Sequence, residues 1–400
     1  MPTGKGTPAN NIRLPRYEAA AKDAIEGGMV PGAVAIVGNG ERILHQSAFG
    51  PSHRLDGRPH TLNDVLMLAS MTKAVTSVAA AQLLEQGHFT LDQPAEELLP
   101  EIATHQVITG FDANDRPLLR PARSKVTMRH LFTHTSGHSS DVWNANTLRY
   151  AKVMGLPPIP SCKVAAFDLP LVFDPGTGWE YGVATDFLGK IIEKLSGQRL
   201  EEYFKKNIFD RIGMEWTSFV MGPHQLAELV PVRGKAGRGE IKVLDFQISQ
   251  TPEMYMAGAG LYGTAGDYFK FLQMLLNKGT APNGRVLKPE TVALMFRNHI
   301  GDIDLPAMKS VIPPVSADVS IDQPAGNKWS LCALTNLIDM PGRRRAGSQS
   351  WAGLASSYFW VDPASSLAGL VMLSYFPFAD QDGLDLFDAL ERDSYATFGG

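Results

Sequence analysis

Ser70 and Lys73 are the two residues whose types and spacing point most directly to chemistry. They bracket the segment Ser70-Met71-Thr72-Lys73, and side chains at this spacing lie on one face of a helix and can touch. A serine hydroxyl is a weak nucleophile at neutral pH and needs a base beside it. A lysine amine can be that base once burial has removed its proton. The pair therefore predicts acyl transfer through an ester on Ser70, although the same spacing also occurs in helices without chemistry.

Other catalytic patterns receive less support from the sequence. No G-x-S-x-G occurs, so the nucleophile elbow of an α/β-hydrolase is not predicted. His130, His134 and His138 recur every four residues and Asp141 follows, which leaves a Ser-His-Asp set or a zinc site open. No H-E-x-x-H or carboxylate ligand pattern accompanies them, so we expect no metal. The simpler interpretation is that His134 hydrogen-bonds within its Thr-Ser turn and the other two face solvent.

Apolar periodicity and turn residues predict the elements that carry these side chains. A helix that Asn63 or Asp64 could cap, and that continues through 69–86, would hold both Ser70 and Lys73. Gly87 stands where a left-handed C-terminal residue is expected. Two apolar runs around Gly38-Asn39-Gly40 predict a hairpin within 32–50, and strands are predicted over 357–361 and 370–375. Asp186 and Asp267 are expected to cap or brace helices rather than react. Further helices are predicted over 16–26, 126–134, 185–195, 200–208, 265–276 and 382–392.

Strands near both ends of the sequence, with helices between them, predict an α+β fold. The sheet would form from the two ends of the chain, and a helical region would be inserted into it. Hairpin strands are antiparallel, so a doubly wound parallel sheet is disfavoured. We predict a discontinuous α/β domain over 12–88 and 255–400, a mainly helical domain over 89–254, and an active site between them.

Composition limits the classes of partner. The chain has 400 residues, 44% of them hydrophobic and 20% charged, as in ordinary globular proteins. A net charge of −4 argues against nucleic acid, and no apolar run reaches the roughly 20 residues that span a bilayer. The N-terminal segment has no apolar core of a secretory signal, and two cysteines are too few for a disulfide framework. We therefore expect a cytoplasmic protein with a small-molecule substrate and no membrane partner, and we predict no oligomeric state.

Five motifs follow one another in order from about residue 31 to residue 361. They are Ser70-x-x-Lys73, LFTHTSG at 131–137, FDPGTGWEY at 173–181, GAGLYGT at 258–264, and Trp351-Ala352-Gly353. Their types and order resemble the serine β-lactamase and penicillin-binding-protein superfamily. The resemblance is strongest to the family VIII carboxylesterases, which share the class C β-lactamase fold. It therefore implies a serine β-lactamase-like sheet flanked by helices.

The resemblance also implies a role for each site residue. Ser70 would be the nucleophile, Lys73 the general base, and Tyr181 the partner that passes the proton to the leaving alcohol. The backbone N–H groups of Ser70 and Leu354 would form the oxyanion hole. No metal and no organic cofactor is implied. Without the resemblance, Tyr181 would read as an ordinary core tyrosine.

Two departures from the β-lactamase pattern bear on the substrate. Where β-lactamases have Y-x-N, this chain has Tyr181-Gly182-Val183, and a valine offers no amide to an acylamino group. Where they have a lysine, this chain has Trp351, which cannot attract a carboxylate and presents an apolar surface. We expect Trp351, Ala352, Gly353 and Val183 to bind substrate, and both changes favour neutral hydrophobic esters over penicillins.

The sequence thus predicts a serine carboxylesterase that hydrolyses short-chain or small hydrophobic acyl esters through an acyl-enzyme on Ser70. The alternatives with the same fold are a β-lactamase or D-amino peptidase, and an acyltransferase that passes the acyl group to an alcohol or amine. A binding protein that has kept the fold but lost catalysis is the alternative from another class. It would need neither the Ser70 and Lys73 pair nor Tyr181.

Overall fold

The computed structural model describes residues 11–52, 57–321 and 326–399. Its α-helices are α1 (Pro15–Glu26), α2 (Thr72–Glu85), α3 (Met128–Thr133), α4 (Ala145–Val153), α5 (Ala184–Ser196), α6 (Leu200–Phe204), α7 (Asp210–Ile212), α8 (Pro223–Glu228), α9 (Ala265–Leu276), α10 (Pro289–Met295) and α11 (Gln381–Phe398). Its strands are β1 (Ala33–Gly38), β2 (Ile43–Phe49), β3 (Val65–Met67), β4 (Val107–Phe111), β5 (Pro117–Arg120), β6 (Arg233–Gly237), β7 (Glu240–Val243), β8 (Tyr262–Thr264), β9 (Thr280–Ala281), β10 (Gly284–Arg285), β11 (Asn327–Trp329), β12 (Leu334–Asn336), β13 (Gln349–Gly353), β14 (Ser357–Asp362), β15 (Leu367–Met372) and β16 (Tyr375–Phe376).

A seven-stranded sheet joins the two ends of the chain. Its order is β11-β12-β13-β14-β15-β1-β2, and every neighbouring pair is antiparallel. The N-terminal hairpin β1–β2 enters the sheet where β1 pairs with β15, for example Ile36 with Leu370. This arrangement confirms the predicted α+β class and the predicted sheet from both chain ends.

The central strands are buried on both faces because helices cover each side. Along β1, Val34 and Ile36 pack into the core shared with α2 and α9, while Ala35 and Val37 pack toward α1 and α11. Successive residues of a strand point to opposite faces, so an uninterrupted apolar run fills both cores. The helix α2 is buried on nearly all sides, and the helices α5 and α10 pack against it.

One hairpin was not predicted, and one predicted strand needs correction. The polar stretch after residue 232 received no prediction, yet it forms the hairpin β6–β7, whose first strand pairs in parallel with β16. The strand predicted over 370–375 is β15, which begins earlier and ends at Met372. Ser374 has a φ of 56°, a left-handed conformation that cannot continue a strand, and the chain resumes as β16.

The helix predictions hold with shifted ends. The predicted helix over 69–86 begins as a 3-10 turn at Ala69–Met71 and continues as α2, and Gly87 has the expected positive φ of 80°. Asn63 and Asp64 do not cap this helix, because the strand β3 lies between them and its start. The predicted helix over 200–208 is α6, which runs into a π-helical turn at Lys205–Phe209. The division into domains at residues 88 and 254 stays a prediction. No helix within the described ranges has both the length and the apolar character needed to cross a membrane.

Candidate active site

Ser70 lies at a sharp turn between a strand and a helix. The strand β3 pairs with β8, and the Leu68 N–H donates to the Leu261 carbonyl at 2.9 Å. Ala69 then adopts a φ of 46°, which costs an L-residue about 1–2 kcal/mol. This turn places Ser70 at the N-terminal end of α2, where the helix dipole favours negative charge on the serine oxygen.

Lys73 lies one turn further along and is 6% exposed. Its Nζ is 3.2 Å from the Ser70 Oγ and 2.7 Å from the Gly258 carbonyl oxygen, to which it donates. Among the described residues, no carboxylate lies within ion-pair distance of this nitrogen. Nucleophile and predicted base are therefore in contact, in the relation that proton transfer requires.

Tyr181 completes the predicted trio from a different part of the chain. It lies three residues before the start of α5, is 3% exposed, and its ring centre lies 4.6 Å from the Lys73 Nζ. The indole N–H of Trp351 donates to the Tyr181 hydroxyl oxygen at 2.9 Å. That bond holds the phenol in place and stabilises negative charge on its oxygen. The phenol can still donate its own proton to another acceptor.

The backbone beside Ser70 fits the predicted oxyanion hole. Strand β13 packs against the turn at Ala69–Met71. A Cβ built on Gly353 would lie 2.4 Å from the Leu68 carbonyl oxygen, so only glycine allows the two backbones to approach this closely. Leu354 follows immediately and lines the same cavity as Ser70. The role of the two N–H groups stays a prediction.

A cavity of about 940 Å³ opens over these residues. Ser70, Lys73, Tyr181, Val183 and Leu354 line it, whereas Trp351, Ala352 and Gly353, which were predicted to bind substrate, are not among its lining residues. Trp351 reaches the site through Tyr181 instead. Apolar side chains dominate the walls, which include Trp143, Ile159, Leu244, Phe246, Ile248, Met256, Ile312, Val315 and Phe376.

The segment 312–315 forms a wall of the cavity that the sequence did not predict. The Val311 N–H donates to the Val142 carbonyl and the Phe378 N–H to the Val315 carbonyl, each at 2.9 Å. These bonds fix the segment between two distant parts of the chain. No local signal marks it, because its partners are far away in sequence.

His134 belongs to the site, contrary to the expectation that it bonds within its own turn. The imidazole is buried, its Nδ1 has no hydrogen-bond partner among the described residues, and its ring centre lies 4.7 Å from that of Tyr181. Burial, and then the charge of Lys73, lower its pKa well below the usual value, so the ring is neutral. Its place within LFTHTSG was the one available signal.

The three histidines do not converge on a metal. His138 is buried rather than solvent-exposed, and its ring bonds His105 at 2.7 Å and Ser136 at 3.0 Å. The Nδ1 of His130 accepts the Thr127 N–H at the start of α3. Within the described ranges, no group of three or more His, Cys, Asp or Glu side chains could hold an ion.

Aromatic rings enclose Tyr181. Trp143, Trp179 and Trp329 have ring centres 5.4, 6.2 and 6.2 Å from the tyrosine ring, and Trp351 has its ring centre at 4.9 Å. Such packing excludes water and strengthens every electrostatic interaction within it. The electrostatic interactions of Tyr181 are therefore weakly screened by water.

Comparisons with known proteins show similarity over nearly the whole chain. A family model described as Beta-lactamase matches residues 18–392. Lovastatin esterase from Penicillium rubens is 30% identical over 397 residues, with 94% of this chain and 96% of that protein covered. Monacolin J acid methylbutanoyltransferase from Aspergillus terreus is 28% identical over 404 residues, with 95% of each covered.

A solved structure extends the similarity to three dimensions. A mutant of simvastatin synthase from Aspergillus terreus matches with a TM-score of 0.81 and 28% identity, over 96% of this chain and 94% of that one. The chain is thus similar along nearly its whole length to proteins named as an esterase, a transferase and a synthase.

Proposed function

Because this chain belongs to the beta-lactamase family and is a serine hydrolase of that fold, we propose that it is a carboxylesterase that carries its acyl group on Ser70. One observation carries the proposal: the Lys73 Nζ lies 3.2 Å from the Ser70 Oγ at the wall of an open cavity. A binding protein would not need a buried amine against a serine hydroxyl. The resemblance to family VIII carboxylesterases supports the same proposal.

The proposed reaction has two halves. The Ser70 Oγ bonds to the ester carbonyl carbon while its proton moves to the free amine of Lys73. The N–H groups of Ser70 and Leu354 stabilise the resulting oxyanion. Tyr181 donates its proton to the departing alcohol and regains one from Lys73. Water then attacks the acyl-enzyme by the same route and releases the acid.

The cavity favours an ester with one small and one bulky apolar part. Its volume of about 940 Å³ is near the upper end of the roughly 300–1,000 Å³ typical of small-molecule sites. A short acyl chain fills little of this space, so we propose that the remainder takes a bulky hydrophobic alcohol. The methylbutanoyl group in one relative's name is such a short acyl chain.

Acyl transfer is the second candidate, and two observations favour it. One relative is named a methylbutanoyltransferase, and the cavity is large enough to admit an acceptor alcohol after the first alcohol has left. β-Lactam hydrolysis is less favoured. Val183 lines the cavity without an amide, and the indole of Trp351 is bonded to Tyr181.

Substrate panels with wild type and Ser70→Ala test the function. We expect wild type to hydrolyse p-nitrophenyl butyrate well above nitrocefin, and Ser70→Ala to lose the activity while it keeps the wild-type melting temperature. Chromatography with an added bulky alcohol then separates free butyrate from a new ester. Ester turnover that survives Ser70→Ala would refute the nucleophile, and faster nitrocefin turnover would favour a β-lactamase.

The two cysteines support our proposal of a reducing, cytoplasmic location. Cys162 and Cys332 are both buried and unbridged. Burial raises the pKa of Cys162 to about 11 and that of Cys332 to about 12, so both thiols stay protonated and inert.

A further inference from the structure

We propose that Asp186 is a positioning residue for Lys73. Its carboxylate holds the Gly258 peptide to which Lys73 is bonded, and its negative charge stabilises the ammonium that forms when Lys73 takes the Ser70 proton. The inference rests on the proposed function, because it gives Lys73 the role of base. It adds a charged partner to the trio that the sequence motifs define.

One glycine joins the two side chains. The Gly258 N–H donates to the Asp186 Oδ1 at 2.9 Å, and the Gly258 carbonyl accepts from the Lys73 Nζ at 2.7 Å. A Cβ at position 258 would lie 2.7 Å from the Asp186 Oδ2 and 3.2 Å from the Lys73 Nζ. Both charged groups therefore pack against the same Cα. A shift of either one moves the peptide that holds the other.

A buried carboxylate at position 186 lowers the stability of the fold. It lies in the first turn of α5, is 2% exposed, and lines the cavity beside Lys73. Its one hydrogen bond outside its own helix, among the described residues, comes from Gly258. Burying a carboxylate without a direct ion pair costs stability, and an asparagine could make the same bond to the peptide. The retained charge therefore needs a reason beyond bracing the helix.

Lys73 is the charged group with which the Asp186 carboxylate interacts. The titratable groups facing the two residues are Ser70, Tyr181, His134 and Cys162. His134 is neutral because burial lowers its pKa, and the Cys162 thiol stays protonated because burial raises its pKa. Burial likewise raises the pKa of Asp186 to about 6, and the charge of Lys73 opposes that rise. Above this pH Asp186 is a carboxylate, and Lys73 is the cation whose charge acts on it.

Proton transfer explains why the pair matters. When the Ser70 O–H bond breaks, the new N–H bond on Lys73 creates a positive charge in a site screened from water. A fixed negative charge nearby lowers the energy of that state, as in other preorganised sites. A carboxylate also disfavours the loss of a proton from a neighbouring ammonium, so its removal should let the proposed base act at lower pH.

Asp186→Asn tests the inference, because it removes the charge and keeps the shape. The rate of covalent labelling of Ser70 by a p-nitrophenyl phosphonate is followed as a function of pH. In the curve of labelling rate against pH, we expect the rising limb of Asp186→Asn to lie about one pH unit below that of wild type. The rate on the plateau should fall roughly tenfold to hundredfold. The melting temperature in neutral buffer should equal or exceed that of wild type. A raised pKa means that the folded state loses stability as Asp186 ionises between about pH 4 and about pH 6, and Asn avoids this loss.

Asp267→Asn is the matched control. Asp267 is equally buried and accepts the Trp216 N–H at 2.7 Å, but it is bonded to Lys270 and lies outside the cavity lining. Its profile should keep the wild-type limb. Asp186→Ser is the second uncharged variant and must shift the limb in the same direction.

The outcomes separate the two proposals. Wild type that takes up no phosphonate would refute the proposed function. Wild type that is labelled, with an unchanged limb in both folded Asp186 variants, would overturn only the role of Asp186. A limb that moves equally in Asp267→Asn would also overturn it, since the shift would then reflect general destabilisation.

Discussion

At the scale of single residues, the site depends on one short contact between two side chains from the same helix. Lys73 reaches the Ser70 Oγ at 3.2 Å while its other bond goes to a carbonyl 185 residues away. The local spacing was readable from the sequence, because a helix sets it. The carbonyl of Gly258 was not, because only the folded chain brings it there.

Removing the amine should slow acylation far more than it affects folding. We expect Lys73→Ala to lower kcat/KM for p-nitrophenyl butyrate roughly 10²–10⁴-fold, the usual contribution of a general base. Lys270→Ala is the control, since Lys270 is half-exposed and pairs with Asp267 on the helix α9. A loss below tenfold in the folded Lys73 variant would assign the base to another group.

Trp351 acts on the site through one hydrogen bond, and that bond can be removed alone. Trp351→Phe keeps an aromatic ring against Trp329 but cannot donate to the Tyr181 hydroxyl, now held at 2.9 Å. We expect kcat to fall about tenfold, because the phenol loses both its position and its charge stabilisation. In Trp360→Phe, which changes a buried indole in the core toward α1 and α11, kcat should stay near wild type. Equal kcat values in the two variants would contradict the role of Trp351.

At the scale of elements, the site requires β13 to touch the turn that carries Ser70. Gly353→Ala places a methyl group 2.4 Å from the Leu68 carbonyl oxygen, so the strand and the turn must separate. We expect kcat to fall roughly 10²-fold or more, the cost of losing one oxyanion donor. Steady-state kinetics and a melting curve on each variant measure this.

Gly266→Ala serves as the reference for that change. Its Cβ would meet nothing closer than 3.8 Å, and it lies at the start of α9, where alanine suits a helix better than glycine. Activity should be unchanged and stability slightly higher. A Gly353→Ala enzyme with wild-type kcat would show that Leu354 does not contribute to the oxyanion hole.

The sequence predicts those elements whose signals lie within their own segment. The helix α2 and the hairpin β1–β2 are encoded by periodicity and by residues within each segment. The hairpin β6–β7 is short and rich in charged residues and glycine, so it gives little local signal. Its first strand pairs with β16 from a distant part of the chain. The wall at 312–315 is likewise held by bonds to Val142 and Phe378.

At the scale of the whole molecule, the fold assembles one site from segments that are far apart in sequence. Pairing of β1 with β15 closes the sheet, and the start of α2 carries Ser70, the predicted nucleophile. The helix α5 packs against α2 and brings Asp186 and the preceding Tyr181 to the site. Five ordered motifs were enough to predict that Ser70, Lys73 and Tyr181 lie together, as the structure shows. They said nothing of the burial of His134, the place of Trp351 behind Tyr181, or the volume of the cavity, because these arise from packing.

Rapid mixing of the protein with p-nitrophenyl butyrate, followed by acid quench and mass spectrometry, tests the central claim most directly. The account predicts wild-type protein heavier by one butyryl group, with the modification on the peptide that contains Ser70. Ser70→Ala should stay unmodified under the same conditions. A butyryl group on any other residue would contradict this claim. So would ester hydrolysis by wild type without an adduct at any mixing time, together with full activity in Ser70→Ala.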